Sequence, residues 1–221
     1  MKDVDKEPLA EHPFWGKSSA LSSLGFVALL VSSTGRMAFA LIAAAALLWV
    51  TFSAKATLLV CAKILPKRAG SFISLLLAVF YSNVFLIVLN LYSPILALES
   101  IYLILLAPVI ALSSGWLELS GPAFKEDSLL KSLWGALAAG SVFLGLGLLR
   151  EPFGYGALSL PGPHGVLEFF GSDLASSVAI RFIAGTSGAL IVLGYIIALF
   201  QVLRSLLAQQ AVQQEAKGDQ K

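Results

Sequence analysis

Residues 37–50 read MAFALIAAAALLWV, an unbroken apolar run with no charge, proline or glycine. A transmembrane barrel strand would alternate apolar and polar side chains over about 10 residues, and this run does not alternate. A helix satisfies its own backbone groups, which lipid demands. The run continues through TFSAKATLLVCAKI, so the segment Met37–Ile64 can cross roughly 30 Å of hydrocarbon at about 1.5 Å per residue.

Five further apolar segments flank it: Ala20–Ser33, Ser71–Tyr92, Ile95–Ser113, Leu129–Leu149 and Val178–Leu203. The composition agrees. Of 221 residues 57% are hydrophobic and 13% charged, against about half and a quarter in soluble domains. Buried in a single soluble core, blocks of this size would leave large exposed patches. The expected fold is therefore an all-α integral membrane protein with six transmembrane helices. Residues 1–19 form a polar arm, 20–204 the six-helix membrane domain and 205–221 a polar, Gln-rich tail. The arm mixes acids with lysines and has no signal-peptide pattern, so it is expected to be retained. Its Phe14 and Trp15 fall where aromatics anchor a chain at the headgroups.

Six crossings place both termini on one side. That side collects Lys2, Lys6, Lys17, Lys63, Lys67, Arg68, Lys125, Lys131, Arg204, Lys217 and Lys221, whereas the opposite side collects Arg36, Arg150 and Arg181. The positive-inside tendency then puts the termini in the cytoplasm. The basic residues are scattered over several loops, so no stripe exists that could neutralise a row of phosphates, and nucleic acid is not an expected partner. Lys55 lies inside the second segment. Either it is a buried functional lysine or its stem snorkels toward the nearby interface, and snorkelling is the favoured reading. Cys61, the only cysteine, permits no intrachain disulfide and reads as a small buried hydrophobe.

The first and fourth segments differ from the rest. Ala20–Ser33 is short and carries Ser22, Ser23 and Gly25, and Ile95–Ser113 holds Glu99 and Pro108. Both end in similar phrases, Ser32-Ser33-Thr34-Gly35 and Ser113-Ser114-Gly115. Three helices per half, each half opening on an interrupted helix, is the pattern of an inverted repeat. Capping and turn chemistry produce the same phrases without any repeat. Small residues four apart, such as Gly135 with Ala139 and Ala136 with Gly140, read as helix-packing positions.

After the fifth segment the chain reads Arg150, Glu151, Pro152, Phe153, Gly154, Tyr155, Gly156, Ala157, Leu158. This resembles the Arg-Glu-x-x-Gly-x-Gly-x-Leu phrase that follows the fifth helix in the Rnf/Nqr family, in its NqrD/RnfE branch. Leu24-Gly25, Leu65-Pro66 and Pro108-Val109-Ile110 agree with it, and the resemblance spans roughly residues 20 to 204. It implies a six-helix membrane subunit of an ion-translocating electron-transport complex, paired with a homologue of inverted topology, with flavins on partner subunits. In the family the two interrupted helices each bring one cysteine to an intramembrane 2Fe-2S cluster shared with the partner. Here Val27 and Ser114 stand at those positions. Valine has no ligand atom and a serine oxygen poorly replaces thiolate. No cofactor is therefore expected in this chain.

The residues singled out as functional candidates are Arg150, Glu151, Gly154, Gly156 and Glu99. Arg150 and Glu151 at a helix end could pair with each other, or Glu151 with Arg181, and the two glycines suit a re-entrant or tight turn. Glu99 is the acid nearest the apolar zone, where an ionisable group marks a candidate ion contact. His12 and His164 have no metal-ligand spacing around them, and no nucleophile motif, phosphate loop or dinucleotide fingerprint is present. The alternative readings are a small-solute transporter, or its substrate-binding membrane component, and an assembly protein without a transport role.

Overall fold

The computed structural model describes residues 30–61, 70–117 and 127–169, and beyond them 182, 185, 187–195, 198 and 202. Four long helices dominate: α1 Met37–Cys61, α2 Gly70–Tyr92, α3 Pro94–Ser113 and α4 Asp127–Tyr155. Each is long and apolar enough to cross a membrane. The chain therefore has the marks of a mostly helical membrane protein. Of the first expected segment, helical residues 30–33 are described, and of the sixth, helical residues 187–195 together with 182, 185, 198 and 202; the rest of both lies outside the described residues.

Helix α1 is the centre of the bundle, packed against α2, α3 and α4. Its contact with α4 is built from the smallest side chains. A Cβ added at Gly140 would stand 3.3 Å from the Ala44 Cβ, and one at Gly147 would stand 3.0 Å from the Ala40 Cβ. Residues 140 and 147 are two turns apart on one helix, and 40 and 44 one turn apart on the other, so two small-residue faces meet closely. Around this seam Leu47, Leu58, Phe143 and Leu146 are buried.

Helices α2 and α3 form an antiparallel pair joined by Ser93 alone. Ser93 is extended and its hydroxyl accepts the Leu96 N–H, while Pro94 fills the first helical turn, where a missing N–H costs nothing. The register is fixed further down by the buried Ser82 hydroxyl, which donates to the Ile104 carbonyl at 2.6 Å. The fourth segment was expected to be interrupted. Instead α3 runs unbroken through the buried Pro108 to Ser113, as membrane helices packed in protein can.

Two further expectations are corrected. The fifth helix does not end at Leu149 but continues to Tyr155, taking Arg150, Glu151 and Gly154 into its last turns and passing through Pro152. The chain is also not wholly helical. Strands β1 Leu158–Gly162 and β2 Gly165–Phe169 form an antiparallel hairpin that turns at Pro163 and His164. Strand β1 lies against α1 and β2 against α3, with the two hairpin glycines facing each other across the ladder.

Candidate functional site

The neighbourhood of Arg150 and Glu151 begins with a problem at the start of α1. Its first turn contains no acid, and the residue before it is Arg36, whose side chain cannot accept a hydrogen bond. The first backbone N–H groups of a helix need acceptors from elsewhere. Glu151 supplies one. Its Oε2 accepts the Met37 N–H at 2.8 Å and also the Ser159 N–H of β1 at 3.0 Å. The Ser159 hydroxyl in turn accepts the Ala38 N–H at 3.3 Å. The start of α1 is thus capped by residues more than a hundred positions away, and the carboxylate sits where the helix dipole favours negative charge.

Arg150 performs the complementary task three residues upstream of α1. The helical residues 30–33 end where the Thr34 hydroxyl donates to the Leu30 carbonyl at 2.6 Å. Arg150 Nη1 donates to the Thr34 hydroxyl and, at 3.4 Å, to the Val31 carbonyl. A guanidinium there meets exposed carbonyls and the negative end of the dipole. Its Nη2 reaches the Gly185 carbonyl at 3.2 Å, the same carbonyl that accepts the Ala189 N–H at 3.0 Å where helical residues 187–195 begin. Arg150 and Glu151 are each 2% exposed. Adjacent in sequence, they serve opposite ends of consecutive helices.

Gly156 closes α4. At φ 68° it adopts a conformation that suits glycine, and its N–H reaches the Pro152 carbonyl at 2.9 Å. The reversal lets the chain enter β1 with Ser159 under the α1 start. Gly154 belongs to the last turn of α4 and is buried, so the expected loop with two flanking glycines is a helix end with one turn glycine. Arg36 adds an outer tie, 3.3 Å from Glu168 on β2 with both side chains substantially exposed, a pair of small energetic weight.

The structure brings Arg150, Glu151 and Gly156 into one site and leaves Glu99 apart. Glu99 is exposed on α3, about 7 Å along the helix axis from Pro94. Arg181 lies outside the described residues, and Glu151 turns to backbone N–H groups. Arg150 leaves the loop tally, being part of a buried helix end. Thr34, Ser159 and Gly185 complete the site and were not singled out in the sequence, because each contributes through fold-dependent proximity.

Lys55 occupies the buried face of α1 at 7% exposure, one turn after Thr51. Snorkelling buries the stem and brings the ammonium to water, and here the residue as a whole is enclosed by protein. Cys61 ends α1 half-buried. Ser114, just beyond α3, is buried with a hydroxyl that has no hydrogen-bond partner, and Val27 lies outside the described residues. A hydroxyl in place of thiolate does not fit an iron-sulfur cluster. Among the described residues, no three His, Cys, Asp or Glu side chains gather as a metal site.

No known family model matches this chain, and no curated protein or solved structure matches it.

Proposed function

We propose that this chain is an integral membrane subunit of an Rnf/Nqr-like ion-translocating electron-transport complex, paired with a second membrane subunit of inverted topology. The supporting observation is the Arg150-Glu151 clamp. In the phrase that carries the resemblance, Arg150, Glu151 and Gly156 each have a definite physical task at one end of the bundle. This accounts for that spacing in a membrane subunit that has no catalytic site of its own. In this reading six helices cross the inner membrane as two inverted three-helix repeats, with both termini cytoplasmic. Electron carriers, flavins and any 2Fe-2S cluster belong to partner subunits. This chain provides a rigid wall of the membrane path, and Glu99 is the candidate cation contact along it.

Deleting the chain tests the role, and Glu99→Gln tests the ion contact. The expected result is loss of both membrane electron transfer and the ion gradient on deletion, with altered ion dependence in Glu99→Gln. If deletion leaves electron transfer and ion pumping unchanged, the chain is not a subunit of such a complex.

A second reading, a small-solute transporter, has its own observation. An open groove of about 400 Å³ lies between the start of α2 and the end of α3, lined by Ser71, Ser74, Leu75, Val109, Leu112 and Ser113. Saturable uptake of a solute by the chain alone in vesicles would favour it.

A further inference from the structure

Helix α2 is the least enclosed of the four long helices, with 17% of its most apolar window buried against 50–56% for the others. Its core-facing residues include Ser74, Ala78, Ser82 and Leu89. On the face directly opposite lie Leu76, Phe80, Asn83, Ile87 and Asn90, all exposed. Their spacing alternates four and three residues, the repeat of a seam that meets another helix along its length. Within this apolar stripe Asn83 is out of place. It stands about 20 Å along the axis from Gly70 and about 14 Å from Tyr92, near the middle of a membrane crossing. Its Nδ2 donates to the Val79 carbonyl of its own helix at 2.8 Å, leaving one N–H and the carbonyl oxygen directed outward, where lipid offers no partner. Asn90, two turns on along the same stripe, lies near the end of the helix.

We infer that the outward face of α2 binds the α2 of a second copy of this chain, in parallel, with Asn83 paired to Asn83 across a two-fold axis. Two copies inserted the same way present α2 in the same direction. Residue then meets like residue, as an isologous interface requires. A carboxamide carries both a donor and an acceptor, so it is complementary to itself, and such bonds draw helices together in lipid. An inverted homologue would present an antiparallel helix and would not place like residues opposite each other. The inference is independent of the electron-transport reading.

Cysteine scanning in native membranes tests it. Cys61 is the only cysteine, so a Cys61→Ser chain accepts single cysteines without background. Phe80→Cys and Ile87→Cys lie on the seam, whereas Leu75→Cys and Val88→Cys are also exposed but lie on its flanks. Oxidation should give homodimers at the seam positions and little at the flanks. Adding Asn83→Leu to Ile87→Cys should lower the dimer yield about threefold or more, and Asn83→Gln should preserve it. The substitution faces away from the core, so the monomer fold survives it. Equal cross-linking on seam and flanks, no seam dimer, a product containing a different protein, or indifference to Asn83→Leu would each overturn the inference.

Discussion

Glu151 shows how a single side chain can hold two elements. One carboxylate oxygen accepts backbone N–H groups from α1 and from β1. Leaving a buried donor unsatisfied costs about 1–3 kcal/mol, and the lost charge removes a dipole interaction of up to about 1 kcal/mol. Glu151→Ala is therefore expected to destabilise the protein by about 2–5 kcal/mol, and Glu151→Gln, which retains an acceptor, by about 1 kcal/mol. Thermal unfolding in detergent checks the order. Equal stability of Glu151→Ala and the parent would remove the clamp from the account. Arg150 makes a parallel case. Lys has one ammonium and no planar fork, so Arg150→Lys is expected to lose either the Thr34 or the Gly185 contact and about 1–3 kcal/mol with it, read in the same unfolding experiment.

At the scale of elements, the close approach of α1 and α4 makes a sharper prediction, because two glycines on one helix should respond with opposite sign. Gly147→Ala pushes a methyl to 3.0 Å from the Ala40 Cβ and is expected to cost about 1–3 kcal/mol through overpacking. Gly145→Ala meets nothing within 4 Å and is expected to stabilise by about 0.5–1 kcal/mol through helix propensity. Denaturation midpoints of the two variants should move apart, and movement in the same direction would show that the interface is not as tight as described. These elements were also where the sequence was most and least informative. The middles of α1, α2, α3 and α4 are legible because lipid-compatible helices require long apolar runs. The extension of α4 to Tyr155 is not, because two charges followed by Pro152 read as the end of a helix until their partners are known. The hairpin had a signal in Gly-Pro-His-Gly between Leu158–Pro161 and Val166–Phe169, a weak one because each strand is only five residues long. Pro108 suggested an interruption, but propensity yields where the proline is buried in the bundle.

For the whole molecule, only some of the site's residues were legible and its geometry was not. Arg150, Glu151 and Gly156 stood out because two adjacent charges follow a long apolar run and begin the phrase that carries the family resemblance. That Arg150 ends one helix while Glu151 starts the next depends on chain segments more than a hundred residues apart, which no local pattern encodes. The resulting picture is a bundle centred on α1, locked at one end by buried charges and presenting α2 outward. The role proposed for it is that of a subunit held rigid while other chains carry electrons. Gentle purification of the tagged chain from native membranes, with co-purifying proteins identified and iron and visible absorbance recorded, tests this most directly. The account predicts a second membrane subunit together with flavin- or iron-containing partners. A colourless protein without membrane partners, or one joined to an ATPase, would contradict it.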